Sequence, residues 1–261
     1  MSCITDRVIR CCGILWPFLA LLPAGGCAST LFDKPEFSMP PGGLPYAVAA
    51  PTPPEQESVL LRLRPANGQL VHYSIQSVAF VNLTSTNGKW ARGTGQDQTT
   101  EVWNGDAVPD QFSVNQSTAS GKLQPGVFTL DNRYRLVAIA SGMVVDNPNS
   151  SLVFPEEAVK GGSTWSCVPA PRPDGRDDSP PPKRMDWKCL GFADALGRRC
   201  AVLETKFQTQ KETRDAYVTT DHRHVIYIDC KTGIAVLKVM EADATAGPVL
   251  TKSQTTVTMN D

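Results

Sequence analysis

Short runs in which apolar and polar residues alternate dominate the chain from about residue 57 onward. Leu61 and Leu63, and then the run 71–75, place apolar side chains at every second position, which is the period of a strand with one face in water. The Asn67-Gly68 pair between these two runs is typical of a hairpin turn. The pattern therefore predicts a β-hairpin at the start of the folded region.

Further runs of the same kind predict strands at 97–103, 111–116, 134–140, 163–168, 186–192, 200–208, 222–230, 233–241 and 249–258. No stretch of about twelve or more residues has helical periodicity, and the sequence predicts two helical turns, at Glu156–Lys160 and Phe192–Leu196. We therefore expect a mainly β fold with few short helical turns. Its core would be a curved antiparallel sheet, arranged as a partial barrel or a sandwich.

The first 26 residues have the pattern of a signal peptide. Arg7 and Arg10 precede the apolar run 13–22, which is too short to cross a hydrocarbon core of about 30 Å as a helix. The small residues 24–26 stand directly before Cys27, and this segment resembles the lipobox of bacterial lipoproteins. The resemblance implies cleavage before Cys27 and acylation of its thiol. The alternative is an ordinary secreted protein that is cut at small residues.

Acyl chains on Cys27 would anchor the protein to a membrane without a transmembrane helix. By the same resemblance, Ala28 in place of an aspartate implies the outer membrane of a two-membrane bacterium. Residues 27–56 contain seven prolines and no periodicity, which predicts a semi-extended tether of up to about 90 Å or, alternatively, a disordered linker. The globular domain is then 57–261, with a Pro-rich excursion at 168–186.

The overall charge excludes one class of partner. The chain has 25 Lys and Arg residues against 26 Asp and Glu residues, so its formal net charge is -1. Proteins that grip phosphate backbones need a basic field, which this composition does not supply. We therefore expect no nucleic-acid partner.

Four cysteines lie in the C-terminal half, and an even number in an exported chain predicts two disulfides. Cys167 and Cys189 flank the Pro-rich excursion, so a bridge between them would hold its neck. Cys200 would face Cys230 if the strands 200–208 and 222–230 pair in an antiparallel register. A zinc site of four thiolates is the alternative, although the chain lacks the C-x-x-C spacing of such sites.

His222 and His224 are the strongest candidates for metal chemistry. They are separated by one residue in a predicted strand, so both side chains would point to the same face. Asp221 is adjacent, and His72 is a candidate third ligand. Arg223 opposes metal binding, and two exposed strand histidines are the alternative interpretation. The sequence therefore predicts neither a bound metal nor a cofactor.

Other candidate groups carry weaker signals. The aspartates at 174, 177 and 178 lack the ligand spacing of a calcium loop, and the adjacent Glu156-Glu157 carboxylates would diverge on a helical turn. Gly93-Thr94-Gly95 lacks the remainder of a dinucleotide fingerprint, and the serine-hydrolase, zinc-protease and P-loop motifs are absent. Four tryptophans could form the floor of a sugar or lipid groove or could pack in the core: Trp90, Trp103, Trp165 and Trp187.

The segment 152–165 has the pattern F-P-x-x-x-V-x-x-G-x-x-W. It resembles a segment found in a group of bacterial secreted proteins and lipoproteins of unknown function. The strand 197–203 and the hairpin 228–237 resemble the same group, and the resemblance covers about residues 58–245. It implies packing and turn features, and it transfers no functional residue.

Three functions remain open. The first is a lipid-anchored envelope protein with a non-catalytic binding or structural role. The second is a lipid or lipoprotein acceptor that holds an acyl chain in its curved sheet. The third is a hydrolase of envelope polymers, which would need a polar cleft that brings His72 to the His222–His224 pair. The expected partners are the membrane and either an envelope protein or a lipid.

Overall fold

The computed structural model describes residues 57–83, 90–120, 126–141, 152–168, 184–212, 217–247 and 249–260. All regular elements within these ranges are strands, and no helix that could span a membrane is found there. The strands are β1 (Ser58–Val59), β2 (Gln69–Leu83), β3 (Trp90–Gly105), β4 (Gln111–Thr118), β5 (Gly126–Asp131), β6 (Leu136–Ser141), β7 (Val159–Lys160), β8 (Thr164–Cys167), β9 (Met185–Ala195), β10 (Arg198–Glu212), β11 (Tyr217–Asp229), β12 (Ala235–Ala246) and β13 (Val249–Asn260).

Eleven of these described strands form one antiparallel sheet in the order β6-β5-β4-β3-β2-β13-β12-β11-β10-β9-β8. The strands β1 and β7 form a separate two-stranded sheet. The predicted curved antiparallel sheet is confirmed. The sheet is open rather than closed into a barrel, since β6 and β8 are edge strands.

The short segment 152–154 shows how strongly the sheet curves. The carbonyl of Val153 accepts a hydrogen bond from Trp165 Nε1 of β8 at 2.8 Å, and the amide of Phe154 donates to the carbonyl of Arg133 beyond β5 at 2.8 Å. A flat eleven-stranded sheet would hold its two edges about 48 Å apart. Two consecutive residues can contact both edges because the sheet bends around them.

The concave face holds the main hydrophobic core. Side chains from opposite ends of the sheet, including Phe128 of β5 and Trp187 of β9, belong to one buried cluster. Leu61 and Leu63 fill the centre of this cluster together with Leu152, Phe154 and Tyr134. We call the half of the sheet that these residues cover the proximal half, and the other half the distal half.

The segment containing Leu61 and Leu63 is not a strand, so the predicted first hairpin is wrong. The amide of Leu63 donates to the carbonyl of Asn132, and the amide of Arg64 donates to the carbonyl of Thr232. The segment therefore crosses the concave face between two turns instead of pairing with β2. Leu61 and Leu63 are buried because the segment lies on the concave face. Their alternation with polar residues therefore reflects burial of one side of the segment and not strand pairing.

Neither predicted helical turn forms. Residues Val159–Lys160 are strand β7, and the carbonyls of Pro155 and Glu156 accept hydrogen bonds from the guanidinium of Arg62. Those carbonyls are therefore not available as acceptors for a helix. Phe192 to Ala195 continue strand β9, and Leu196 and Gly197, both with positive φ, form the two-residue hairpin loop to β10.

Candidate binding face

The six longest strands are β2, β3, β10, β11, β12 and β13, and they extend beyond the main core into the distal half. Three consecutive cross-strand rows of their concave side carry mainly small side chains, as the registers show. We call these positions the small-residue face: Ala91, Gly93, Gly95, Ser77, Ala79, Val81, Thr251, Ser253, Thr255, Met240, Ala242, Ala244, Thr220, His222, His224, Thr205, Phe207 and Thr209.

The small-residue face lies between two apolar clusters on the same side of the sheet. The main core borders it on the proximal side. A second cluster of Val218, Ala246 and Val249, with Val81 packed against it, borders it at the distal end. The face spans about 24 Å from β3 to β10 at the usual strand spacing.

Space above this face is open at Gly93. A Cβ atom added to Gly93 would meet no heavy atom of the described residues within 4 Å, and Gly93 itself is exposed. Ala242, Ala244 and Ser253 are half-buried. Five other residues of the face are buried: Ala79, Thr205, Thr220, His224 and Thr251. The face is therefore a trough that opens to solvent at its β3 end, around Gly93.

The aromatic side of the trough is formed by β10 and β11. The Phe207 ring stacks on the His222 ring with centroids 4.5 Å apart and meets the His224 ring edge-on at 5.1 Å. His222 Nε2 lies 3.0 Å from Thr209 Oγ1. The structure thus places His222 and His224 on one face, as the strand period predicts, with their ring centroids 6.0 Å apart.

Burial keeps both imidazoles neutral. Desolvation lowers the pKa of His222 to about 4, against a smaller opposing effect of the nearby Asp221 carboxylate. Desolvation, together with the neighbouring His222, lowers the pKa of His224 to about 3. The two imidazoles that pack against Phe207 are therefore uncharged, and this side of the trough carries no charge.

The structure does not bring the predicted metal ligands together. His72 lies on the convex face of β2, where its Nδ1 contacts Thr100 Oγ1 at 3.0 Å, whereas His222 lies on the concave face. The carboxylate of Asp221 also points to the convex face and accepts a hydrogen bond from Gln208. Among the residues that the structure describes, no three His, Cys, Asp or Glu side chains form a group that could hold a metal ion.

The convex face of the same strands has the opposite character. Arg223 of β11 donates to Glu204 of β10 at 2.8 Å and to Glu241 of β12 at 3.2 Å. Lys252 of β13 pairs with Asp243 of β12 at 2.6 Å. The same face also holds the buried apolar side chains of Val78 and Phe80, so the charged residues occupy only part of it. The two faces of the distal half therefore differ sharply in charge.

The core between the two edges contains a buried ionisable pair that the sequence did not indicate. Glu101 accepts hydrogen bonds from Trp103 Nε1 at 3.1 Å and from Gln116 Nε2 at 3.0 Å. Lys238 is buried as well, with its Nζ 5.4 Å from the centre of the Tyr73 ring. Desolvation raises the pKa of Glu101 and lowers the pKa of Lys238, and the attraction between the two opposes both shifts.

The structure holds the four C-terminal cysteines as thiols, three of them buried and Cys230 half-buried, and the two disulfides stay a prediction. Cys167 lies opposite Met185 in the β8–β9 ladder, four residues from Cys189 along the strand. Cys200 lies opposite Asp229, so the predicted register between β10 and β11 is wrong by one residue. Cys230 falls in the turn that follows β11.

The remaining predicted groups have structural positions. Trp103 and Trp187 are buried core residues, and Trp165 is half-buried with its Nε1 bonded to Val153. Glu156 and Glu157 are exposed, and Glu156 pairs with Arg133 at 2.7 Å. Cys27, the tether, the side chain of Trp90 and the aspartates at 174, 177 and 178 lie outside the described part of the chain.

Sequence reasoning missed the small-residue face. The signal that could have found it is the spacing of Ala242, Ala244 and Ala246 at every second position of one strand, with Gly93 and Gly95 at the same spacing in another. Small residues at every second position of a strand leave one face of the sheet without bulky side chains.

Comparisons with known proteins place the chain in no family. No protein-family model matches it, and no curated protein matches it. Among solved structures, lipovitellin, from a study of its lipid–protein interactions, matches with a TM-score of 0.39 and 8% identity, over 76% of this chain and 26% of that one. The chain thus spans about a quarter of that protein's length.

A second solved structure is a DUF1329 family protein from Desulfovibrio piger. It matches with a TM-score of 0.14 and 15% identity, over 73% of this chain and 84% of that one. Scores this low establish neither a shared fold nor a shared function. The resemblance of the segment 152–165 to bacterial secreted proteins of unknown function remains a prediction.

Proposed function

We propose that this protein is a lipid-anchored protein of the bacterial cell envelope that binds an acyl chain on its small-residue face and catalyses no reaction. One observation carries the proposal: the open, uncharged trough that lies between two apolar clusters on the concave side of the sheet. Apolar ligand sites are concave, mostly apolar and largely preformed. The anchor at Cys27 rests on the lipobox resemblance.

The chemistry of the trough favours an acyl chain over a protein partner. Its floor consists of glycine, alanine, serine and threonine, whereas the hot spots of protein interfaces are rich in Trp, Tyr and Arg. A flexible hydrocarbon chain needs width and apolar walls, which Met240 and Phe207 supply. Burying each methylene group stabilises such a complex by about 0.8 kcal/mol.

The geometry offers no support for a hydrolase. A hydrolytic site needs an acid, a base or a metal-bound water within hydrogen-bond reach of the substrate. His72 is on the opposite face of the sheet from His222 and His224, so the cleft that would bring them together does not form. The two concave histidines are neutral and packed against Phe207.

The proposal is tested by filling the trough from its floor. Gly93→Phe adds a ring at Gly93, where an added Cβ meets no heavy atom of the described residues within 4 Å. The probe is the methyl ester of pyrenedecanoic acid, titrated by fluorescence against the full chain carrying Cys27→Ser, which removes the acylated thiol. We expect the substitution to weaken binding at least about tenfold, or about 1.4 kcal/mol.

Thr94→Phe is the matched control, because Thr94 is exposed and adjacent to Gly93 but points to the convex face. It adds the same ring to the same strand and should bind the probe like the parent chain. Equal loss of binding in both variants, or no binding by the parent chain, would contradict the proposed function.

A further inference from the structure

We infer that the small-residue face selects an uncharged acyl ester, such as a diacylglycerol, over a free fatty acid or a phospholipid. The inference rests on the proposed function and adds the chemical class of the ligand. It follows from two features of the trough. Its positions carry no charge, and four of its hydroxyl groups, those of Ser77, Thr205, Thr209 and Thr255, are bonded within the sheet.

The three rows that form the face contain no Asp, Glu, Lys or Arg, and their two histidines are neutral. The nearest cation on a described concave side chain is Lys238 in the adjoining row. Its Nζ is directed toward the Tyr73 ring in the proximal core, where Glu101 is the opposing charge. Asp97, in the same adjoining row, accepts hydrogen bonds from the hydroxyl and the amide of Ser120.

The polar groups of the face are largely occupied by one another. Ser77 Oγ and Thr255 Oγ1 are 3.0 Å apart, and the Thr205 hydroxyl donates to the Asp186 carbonyl at 2.8 Å. Thr209 Oγ1 is held against His222 Nε2. Hydroxyls that are paired in this way cannot surround an anion with donors.

Two polar atoms of the face, His224 Nδ1 and Thr251 Oγ1, are fully buried and have no hydrogen-bond partner within the described residues. They lie on β11 and β13, with β12 between them, so they cannot act together as an anion site. A carboxylate or phosphate on the buried part of the face, beside Thr205, Thr220 and Thr251, would lose its hydration without gaining a charged partner, and that transfer is strongly unfavourable. An ester carbonyl loses much less on the same transfer.

The inference is tested with two probes that share one hydrocarbon chain: pyrenedecanoic acid, which is ionised at pH 8, and its methyl ester. Both are titrated against the full Cys27→Ser chain at pH 8. We expect the ester to bind at least about tenfold more tightly than the acid. Equal or tighter binding of the acid would overturn the inference and leave the proposed function standing, whereas binding of neither probe contradicts the proposed function.

A charge placed on the floor should change this preference. Gly93→Lys adds an ammonium group in the open space of the trough, and Thr94→Lys adds the same group to the convex face as the matched control. We expect Gly93→Lys to lower the ester-to-acid affinity ratio at least about fivefold and Thr94→Lys to leave it unchanged. Equal ratios in the two variants would overturn the inference.

Discussion

In the distal half, the strand period correctly predicts that the two histidine side chains lie on the same face of the sheet, but it does not predict which residues surround them. His222 and His224 share a face, as any two residues separated by one position in a strand must. Which neighbours surround them depends on strands that are distant in sequence. Phe207, which packs against both rings, and Ala242, which stands beside His222, could be placed there only through the observed registers.

The buried histidines predict a loss of stability in mild acid. Their pKa values of about 4 and about 3 lie below the unfolded value of about 6.5, so the unfolded chain takes up protons first. Their contribution to stability is fully present above pH 6.5 and is lost as the pH falls toward 4. We expect the free energy of unfolding, measured with urea, to fall between pH 7 and pH 4.5. His224→Leu should reduce the slope of this free energy against pH by the equivalent of about one proton.

A matched control for this experiment is His72→Leu, because His72 is exposed on the convex face. It should leave the pH slope close to that of the parent chain. An identical slope in the parent chain and in His224→Leu would show that His224 is not buried in its neutral form.

The state of the four C-terminal cysteines distinguishes the structure, which has four thiols, from the prediction of two disulfides made from the number of cysteines. Burial raises the pKa of Cys200 to about 12 and that of Cys230 to about 11, which makes both poor nucleophiles. We expect four alkylated cysteines in denaturant and slow labelling at pH 8 in the native chain, measured by intact mass of the Cys27→Ser protein after signal cleavage. A mass lower by four hydrogens, with no labelling in denaturant, would instead establish the two disulfides.

At the scale of elements, alternation identified ten strands near their observed positions but could not set the register between β10 and β11. Residues 224–229 of β11 are buried on both faces, so no hydrophobic alternation distinguishes one register from the next. The irregularity between Val202 and Leu203 shifts the β9–β10 pairing in the same region. Strand β5 was missed, although Phe128-Thr129-Leu130 has the strand period.

The buried Glu101 and Lys238 predict strong coupling between β3 and β12. Lys238→Met would leave the Glu101 carboxylate buried without its nearest cation, at a cost of about 3 kcal/mol in the free energy of unfolding. The double variant Glu101→Gln with Lys238→Met should recover most of that loss. Urea unfolding of the two single variants and the double variant measures the coupling, and additive effects would show that the two charges do not interact.

At the scale of the whole molecule, the sequence predicted the class of fold, and the small-residue face emerged only from the assembled sheet. The curvature depends on residues 152–154, which contact both edges, and no local pattern encodes such a contact. The trough arises where six strands continue past the residues that fill the proximal half. Its openness is therefore a property of the sheet as a whole.

The lipid anchor is a prediction for the whole chain in its cell. Cys27→Ser removes the thiol that the lipobox resemblance assigns to acylation, so the substituted protein should carry no acyl chains. Intact mass of either chain, purified in detergent from a two-membrane bacterium, measures this. If both chains carry the same added acyl mass, or neither does, the anchor is not at Cys27.

The most direct test of the central claim is native mass spectrometry of the full Cys27→Ser chain, purified without detergent from the envelope of a two-membrane bacterium. The account predicts a species heavier than the bare chain by the mass of an uncharged acyl lipid. That species should persist in Thr94→Phe and disappear in Gly93→Phe. A bare mass for the parent chain, or the same bound lipid in Gly93→Phe, would contradict the assignment of the small-residue face as an acyl-chain site.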